Sequence, residues 1–525
     1  MISLRRAAAA TLPEAKVTGP IELLARDSVA VAPIVWRQVV VGNAGWGARM
    51  NNDVPARPTG LSSSEPAGGS LATTDTTPEG SRRNSMGVTA ATALVMGSVI
   101  GTGVFVLPVS FAAYGPISLI GFALAAVGAI SLALTFGALA RRLPKRGGPY
   151  AYAREAFGPA AGFSAAWFYW ITAWVSRSAM VVGWIIYVET FVNTDHNRIG
   201  SIIIGLVGLW LPAVINMSGV KNMALVQVVT TILKVIPLVL ISIVGLFFID
   251  WSNLHPFNVS GSGPFAAIVA CIALAVFAYL GVETASVAAV RVRNPRRNVP
   301  LASLLGTLIC SAVYLLSTFV IMGTVSNSAL TTPGAQPFVL SFDAMFHGSF
   351  WGYAVAVAAI ISGFGAINGW TLVCAEMSKA AADKGLFPAR FAIQSRKGVP
   401  AFGIVLSTGL ASILLVVDYF GQAGSGVFNV VVLLAGLSAS VPYLLSALAL
   451  IKTSLNKEAR VHTDWRFDGA VATIAGVFSL VIIYGAFTAP ETRLDLFILA
   501  VLAAVGGLLM YLRMRHELAA RAPIA

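Results

Sequence analysis

The sequence predicts an all-α polytopic membrane protein with twelve transmembrane helices, on three observations. Apolar residues make up 57% of the chain and charged residues only 11%, with a mean hydropathy of +0.80. Soluble domains carry about a quarter charged residues. From residue 88 onward, apolar runs of about 20 residues or more, the length that crosses a bilayer, alternate with short polar connections. Finally, Lys and Arg gather on every second connection.

Taken in order, the spans fall near 88–112, 116–140, 161–192, 199–217, 223–249, 264–290, 300–323, 350–377, 401–418, 425–451, 467–488 and 493–513. With a cytoplasmic N-terminus, the inner connections hold 22 basic residues and the outer ones only Arg198 and Arg493. Positive charge stays on the cytoplasmic side, so both termini are expected there, with 516–525 as a cytoplasmic tail. The basic loops account for much of the net charge of +13. They report topology and contact with anionic lipid, not a nucleic-acid surface.

Residues 1–85 are of another material. "TGLSSSEPAGGSLATTDTTPEGSRRNS" is rich in Ser, Thr, Gly and Pro and has no helical stripe, so this extension reads as disordered. Residues 7–20 are too broken by Pro, Glu and Lys to be a signal peptide. Two readings stand: a cytoplasmic tail, or upstream sequence with the true start at Met86. The second is favoured, because apolar periodicity begins directly after Met86. Cys271, Cys310 and Cys374 lie singly in apolar segments and are expected to be small core residues.

Two spans are interrupted. "GSVIGTGVF" (97–105) puts Gly97, Gly101 and Gly103 in the first, and "FAYLGVETAS" (277–286) puts Gly281 and Glu283 in the sixth. Irregular backbone at membrane depth is tolerated where it lines a cavity or is buried in protein. Matched breaks in two halves of a chain point to a transporter site. Each break exposes N–H groups at one half-helix start, suited to a carboxylate, and carbonyls at the other end, suited to an ammonium group. Together they would receive an α-amino acid. Glycines also serve close packing alone, and for one such stretch the two readings weigh equally. A second break carrying a carboxylate favours transport.

"GSVIGTGVFVLP", "GGPYAYAREAFGP", "GVETASVAAVRVRNPRRNVP" and "NGWTLVCAEMSKAAADKGLFP" resemble the amino acid–polyamine–organocation transporters. Within them the nearest likeness is to the basic amino acid/polyamine antiporters, above all those exchanging arginine for agmatine. The resemblance covers about 86–515. It implies a five-plus-five inverted repeat with two extra helices: one repeat over about 88–249, the other over about 264–451, and the extra pair over about 467–513. It also implies a homodimer and exchange of an amino acid for its decarboxylation product. Spans one, two, six and seven would rock against the rest.

By resemblance, Val99, Thr102 and Gly103 hold the substrate carboxylate, and the Leu280 carbonyl receives the α-amino group. Thr172, Ala173 and Met180 line the pocket. Trp370 packs on the aliphatic stem and inner gate, and Ala435 offers a backbone contact to the distal group. Tyr169, Glu283 and Tyr443 match a set closing the outer side of the pocket.

Three positions depart from that pattern. Phe277 stands where the family stacks a tryptophan on the guanidinium, and a phenyl face attracts a cation less strongly. Arg177 replaces an asparagine, setting a fixed cation beside a pocket meant for cations. Lys234 in "TTILKVIPL" replaces an apolar residue and resembles the lysine of proton-coupled relatives, where it occupies a sodium position.

A charge at the bilayer centre costs at least about 2.5–3.5 kcal/mol. Lys234 is therefore expected either to couple protons or to act as a tether capped by carbonyls freed at the first break. Arg177 needs a partner, expected to be Glu283. Glu283 itself either senses protons or substrate cations or balances Arg177. Glu189 and Glu376 are expected to meet headgroups.

The five histidines show no metal spacing, and there is no GxxxxGK[ST] loop. No enzyme activity, metal or other cofactor is expected. The sequence thus predicts a secondary transporter of a bacterial inner membrane, exchanging arginine for agmatine in acid resistance. Lysine/cadaverine or ornithine/putrescine exchange and proton-coupled uptake are the alternatives, and a non-transporting membrane sensor is the reading from another class.

Overall fold

A computed structural model describes residues 87–143, 148–218, 234–289, 292–421, 425–455, 464–488 and 493–521. The expected N-terminal extension 1–85 and the last four residues of the tail lie outside that set. The chain is all-α and polytopic, as the sequence predicts. Nine described helices are long and apolar enough to cross a membrane, and a bent pair makes a tenth span.

That pair is α1 (Val88–Val99) and α2 (Gly103–Ala112), which meet at 47°. There follow α3 (Ser118–Arg142), the short α4 (Pro149–Phe157), α5 (Pro159–Val188), α6 (Arg198–Ser218) and α7 (Lys234–Phe248). The sixth apolar segment splits into α8 (Pro264–Ala275), a 3-10 turn at Val276–Tyr279 and the single turn α9 (Thr284–Val287). Next come α10 (Pro295–Thr324), α11 (Asn327–Leu330), α12 (Pro337–Phe346), α13 (Ser349–Asp383), α14 (Ala401–Gly421), α15 (Ser425–Leu455), α16 (Trp465–Thr488) and α17 (Arg493–Arg521).

Prolines mark several starts. Pro149, Pro159, Pro264, Pro295 and Pro337 each occupy the first turn of a helix, where a missing N–H costs nothing. Gly148 and Gly158 precede two of them at φ +52° and +90°. These are left-handed conformations that only glycine adopts freely, and they turn the chain sharply on both sides of α4.

The helices form two packed groups. In one, α3 runs along α10 and α8, and α1 lies on α10; in the other, α5 packs on α13 and α15, and α14 on α6. α5 is buried on nearly every side. In contrast, α6 shows Ile199, Ile203, Val207, Leu211 and Val214 on one stripe, the spacing of a lipid-facing helix edge. The two breaks lie buried inside this arrangement, and the site is built on them.

Candidate functional site

At the first break the helix stops at Val99, Ile100 turns extended (ψ 96°), and a new helix opens at Gly103. The carbonyls freed there are taken up within the protein. Lys234 Nζ donates to Gly97 O at 2.6 Å and to Ile100 O at 2.8 Å. Tyr314 Oη donates to Val99 O at 3.0 Å. The N–H groups of Gly101, Thr102, Gly103 and Val104 have no acceptor among the described residues. Four such groups at one half-helix start form an anion-receiving edge.

The second break answers it. Leu280 is extended, Gly281 stands at φ +108°, and no described donor reaches the Leu280 carbonyl. The two breaks touch. A Cβ on Gly281 would lie 3.0 Å from the backbone of Ser98, and one on Gly103 would lie 2.6 Å from the Phe277 ring. Only glycine lets the backbones and the ring approach this closely. Met180 covers Gly101 from α5, and the Thr102 methyl fills the space beside Gly363 on α13.

Beyond the breaks sits a buried acid. Tyr169 Oη donates to Glu283 Oε1 at 2.5 Å, Tyr443 Oη to Oε2 at 3.0 Å, and Gly281 N to Oε2 at 3.2 Å. The Glu283 side chain thus ties α5 and α15 to the second break. Thr172 and Ser438, joined at 3.2 Å, link the same two helices, and Ser438 also donates to the Ala435 carbonyl at 3.0 Å. Ala173 and Trp370 are buried.

The geometry brings Val99, Thr102, Gly103, Met180, Phe277 and Leu280 together around the paired breaks, with Tyr169, Glu283 and Tyr443 below them. It corrects three expectations. The tyrosine–glutamate set was expected on the outer side. Tyr169 instead lies nearer the start of α5 and Tyr443 nearer the end of α15, both toward the basic connections. Glu283 follows the break on the same side, the one the basic connections lead us to expect in the cytoplasm.

Arg177 does not pair with Glu283, whose oxygens are held by the two phenols and the Gly281 N–H. The guanidinium turns out of the pocket to Thr371, Thr408 and Ser407 at 3.2, 3.1 and 3.0 Å. Nor does Glu189 reach for headgroups. It is buried, with Asn193 Nδ2 at 2.9 Å, His196 Nδ1 at 2.7 Å and the Ser201 hydroxyl also on it.

Sequence reasoning passed over Tyr314 and Ser438, single polar groups in apolar helices whose partners come from distant segments. It also passed over Asp418, which is buried in α14 with neither oxygen bonded by a described residue. A lone Asp in an apolar run was the available signal there.

A multi-pass helical protein with two facing helix breaks buried inside it has the construction of a permease. The chain belongs to the amino acid permease family, whose model matches residues 86–510, and within it to the basic amino acid/polyamine antiporters. It is 32% identical over 406 residues to the putrescine transporter PotE of Haemophilus influenzae, covering 77% of this chain and 92% of that protein. With PotE of Escherichia coli K12 it shares 31% over 417 residues, 76% and 91% of the two chains. With the cadaverine/lysine antiporter of the same strain it shares 29% over 372 residues, 70% and 83%. The protein is a transporter of small amino acids or amines, not an enzyme.

Proposed function

We propose that this transporter exchanges a diamine for the amino acid whose decarboxylation yields it, ornithine/putrescine or lysine/cadaverine ahead of arginine/agmatine. The names of the relatives support the diamine reading, and so does Phe277 packed on Gly103. A planar guanidinium gains most from an indole face and from fork-shaped donors, whereas an ammonium is a point charge that a phenyl face and a few oxygens satisfy. The observation that carries the exchange reading is the pair of facing breaks. N–H groups of Gly101 to Val104 without an acceptor among the described residues lie on one side, and the Leu280 carbonyl, without a described donor, on the other. An amino acid would use both, and its decarboxylated product only the second. The buried Glu283 would draw a distal ammonium toward the basic-connection side. The setting is proposed to be a bacterial inner membrane.

The test is counterflow in liposomes: labelled putrescine, cadaverine or agmatine outside, with ornithine, lysine, arginine or nothing inside. Diamine uptake that requires an internal diamino acid supports the reading. Uptake of agmatine alone, with internal arginine, would return the substrate to the first expectation. Lys234, bridging two carbonyls of the first break, favours one second reading, proton-coupled uptake. That reading demands accumulation in empty liposomes under an inward pH gradient.

A further inference from the structure

Arg177 carries a charge that the transport site does not use. It is fully buried in the middle of α5, and no described carboxylate forms an ion pair with it. Glu283 is committed to its tyrosines. Asp418 is ten residues along α14 from Thr408, about 15 Å at the helical rise. The partners of Arg177 are three neutral hydroxyls. Two of these pass their own hydrogens on, Thr371 to Ile367 O at 2.7 Å and Ser407 to Gly403 O at 2.6 Å. The Thr408 hydroxyl hydrogen has no described acceptor.

Two further donors nearby are orphaned. Arg177 Nε and Trp174 Nε1 are buried with no partner among the described residues. They stand three residues apart, on one face of α5. Neither group can accept a hydrogen bond, so rotating a neighbour cannot pair them with each other. Buried donors are bonded in the large majority of cases, and a buried charge needs a counter-charge. What satisfies both demands is an acceptor that carries one negative charge and no hydrogen.

We propose that Arg177 Nε and Trp174 Nε1 form a buried halide site on α5, where it meets α13 and α14, taking chloride. The ion neutralises the guanidinium beside Trp370, which adjoins Thr371 in α13. A fixed cation next to a pocket for cations then ceases to repel its substrate. The Cys374 thiol is the other ionisable group that acts on the guanidinium. As a thiolate it would fill the same electrical role and leave no need for an ion.

The experiment is thermal unfolding of the purified full chain in sodium chloride against sodium gluconate at matched ionic strength. A ligand bound to the native state raises Tm with its concentration. The wild type should unfold several degrees higher in chloride, with a saturating dose response. Trp174→Phe, which keeps the ring and drops one donor, should shift the midpoint of that response to about tenfold higher chloride. Arg177→Gln should fold and lose the response.

A wild-type Tm indifferent to chloride would overturn the site, and would be the result if Cys374 supplied the counter-charge. An equal chloride rise in Arg177→Gln would overturn it as well, by placing the ion elsewhere. The readout needs no transported substrate, so failure here and failure of the exchange reading are separate results.

Discussion

Tyr169 and Glu283 are 114 residues apart in sequence and 2.5 Å apart in space, and their bond joins a nearly fully buried helix to a break in another. Tyr443 makes the same carboxylate a three-helix fastening at 3.0 Å. A hydrogen bond to a charged group contributes about 1.5–3 kcal/mol, so Tyr169→Phe should lower stability by about that amount. Tyr443→Phe should cost less, given its longer bond. Because both phenols serve one carboxylate, the double variant should lose measurably less than the sum. Denaturation of the four proteins in detergent checks the cycle.

Removing the ammonium of Lys234 strips the donor from Gly97 O and Ile100 O together. Each buried carbonyl left unpaired costs about 1–3 kcal/mol. Lys234→Met should therefore unfold at lower temperature, and its exchange rate should fall at least about tenfold at every external pH. Intact exchange in the variant would remove Lys234 from the site.

The two glycines of the breaks should respond differently to alanine. At Gly103 the obstacle is the Phe277 ring, which a smaller side chain would clear. At Gly281 the obstacles are the Ser98 backbone and a φ of +108°, which no neighbouring substitution relieves. Phe277→Leu should restore folding to Gly103→Ala and not to Gly281→Ala, as size-exclusion profiles and exchange activity would record.

Phe277→Trp should tilt preference toward guanidinium substrates. The gain of an indole over a phenyl face is about 1 kcal/mol, roughly fivefold in affinity. Competition of agmatine against putrescine for uptake, wild type against variant, measures it.

Outside the membrane core, Asp468 accepts from Arg142 at 2.6 Å and from Arg141 at 3.2 Å. Asp468 and Arg142 are largely buried, while Arg141 is half exposed. Breaking a buried pair costs about 3–5 kcal/mol, whereas an exposed one contributes up to about 1. Asp468→Ala should thus destabilise strongly and Arg141→Ala hardly at all, by thermal unfolding.

Much of this architecture was legible beforehand, because span length, basic-loop alternation and the two glycine-bearing interruptions are local properties of the chain. Lys234 as a tether was also foreseen as one of two readings, since a lysine deep in an apolar run has few partners except freed carbonyls. What local pattern did not contain was direction and partnership. Arg177 and Glu283 were paired because a buried cation needs a partner and the family resemblance put Glu283 nearest. Yet Arg177 faces α13 and α14, where Thr371, Ser407 and Thr408 look like ordinary small residues of an apolar helix. Glu189 was read as a residue at a span end, when the turn that follows it folds Asn193, His196 and Ser201 back onto it. The side on which Tyr169 and Tyr443 lie required only counting along each helix from its basic end.

The tether at the first break also bears on the order in which this protein can be made. Gly97 and Ile100 receive their donor from Lys234, and Val99 from Tyr314, residues that leave the ribosome long afterwards. A carbonyl without a partner is not tolerated in lipid, so the break has to wait in another shape. The opening segment of the bundle is completed only once Tyr314, more than two hundred residues later, has joined it.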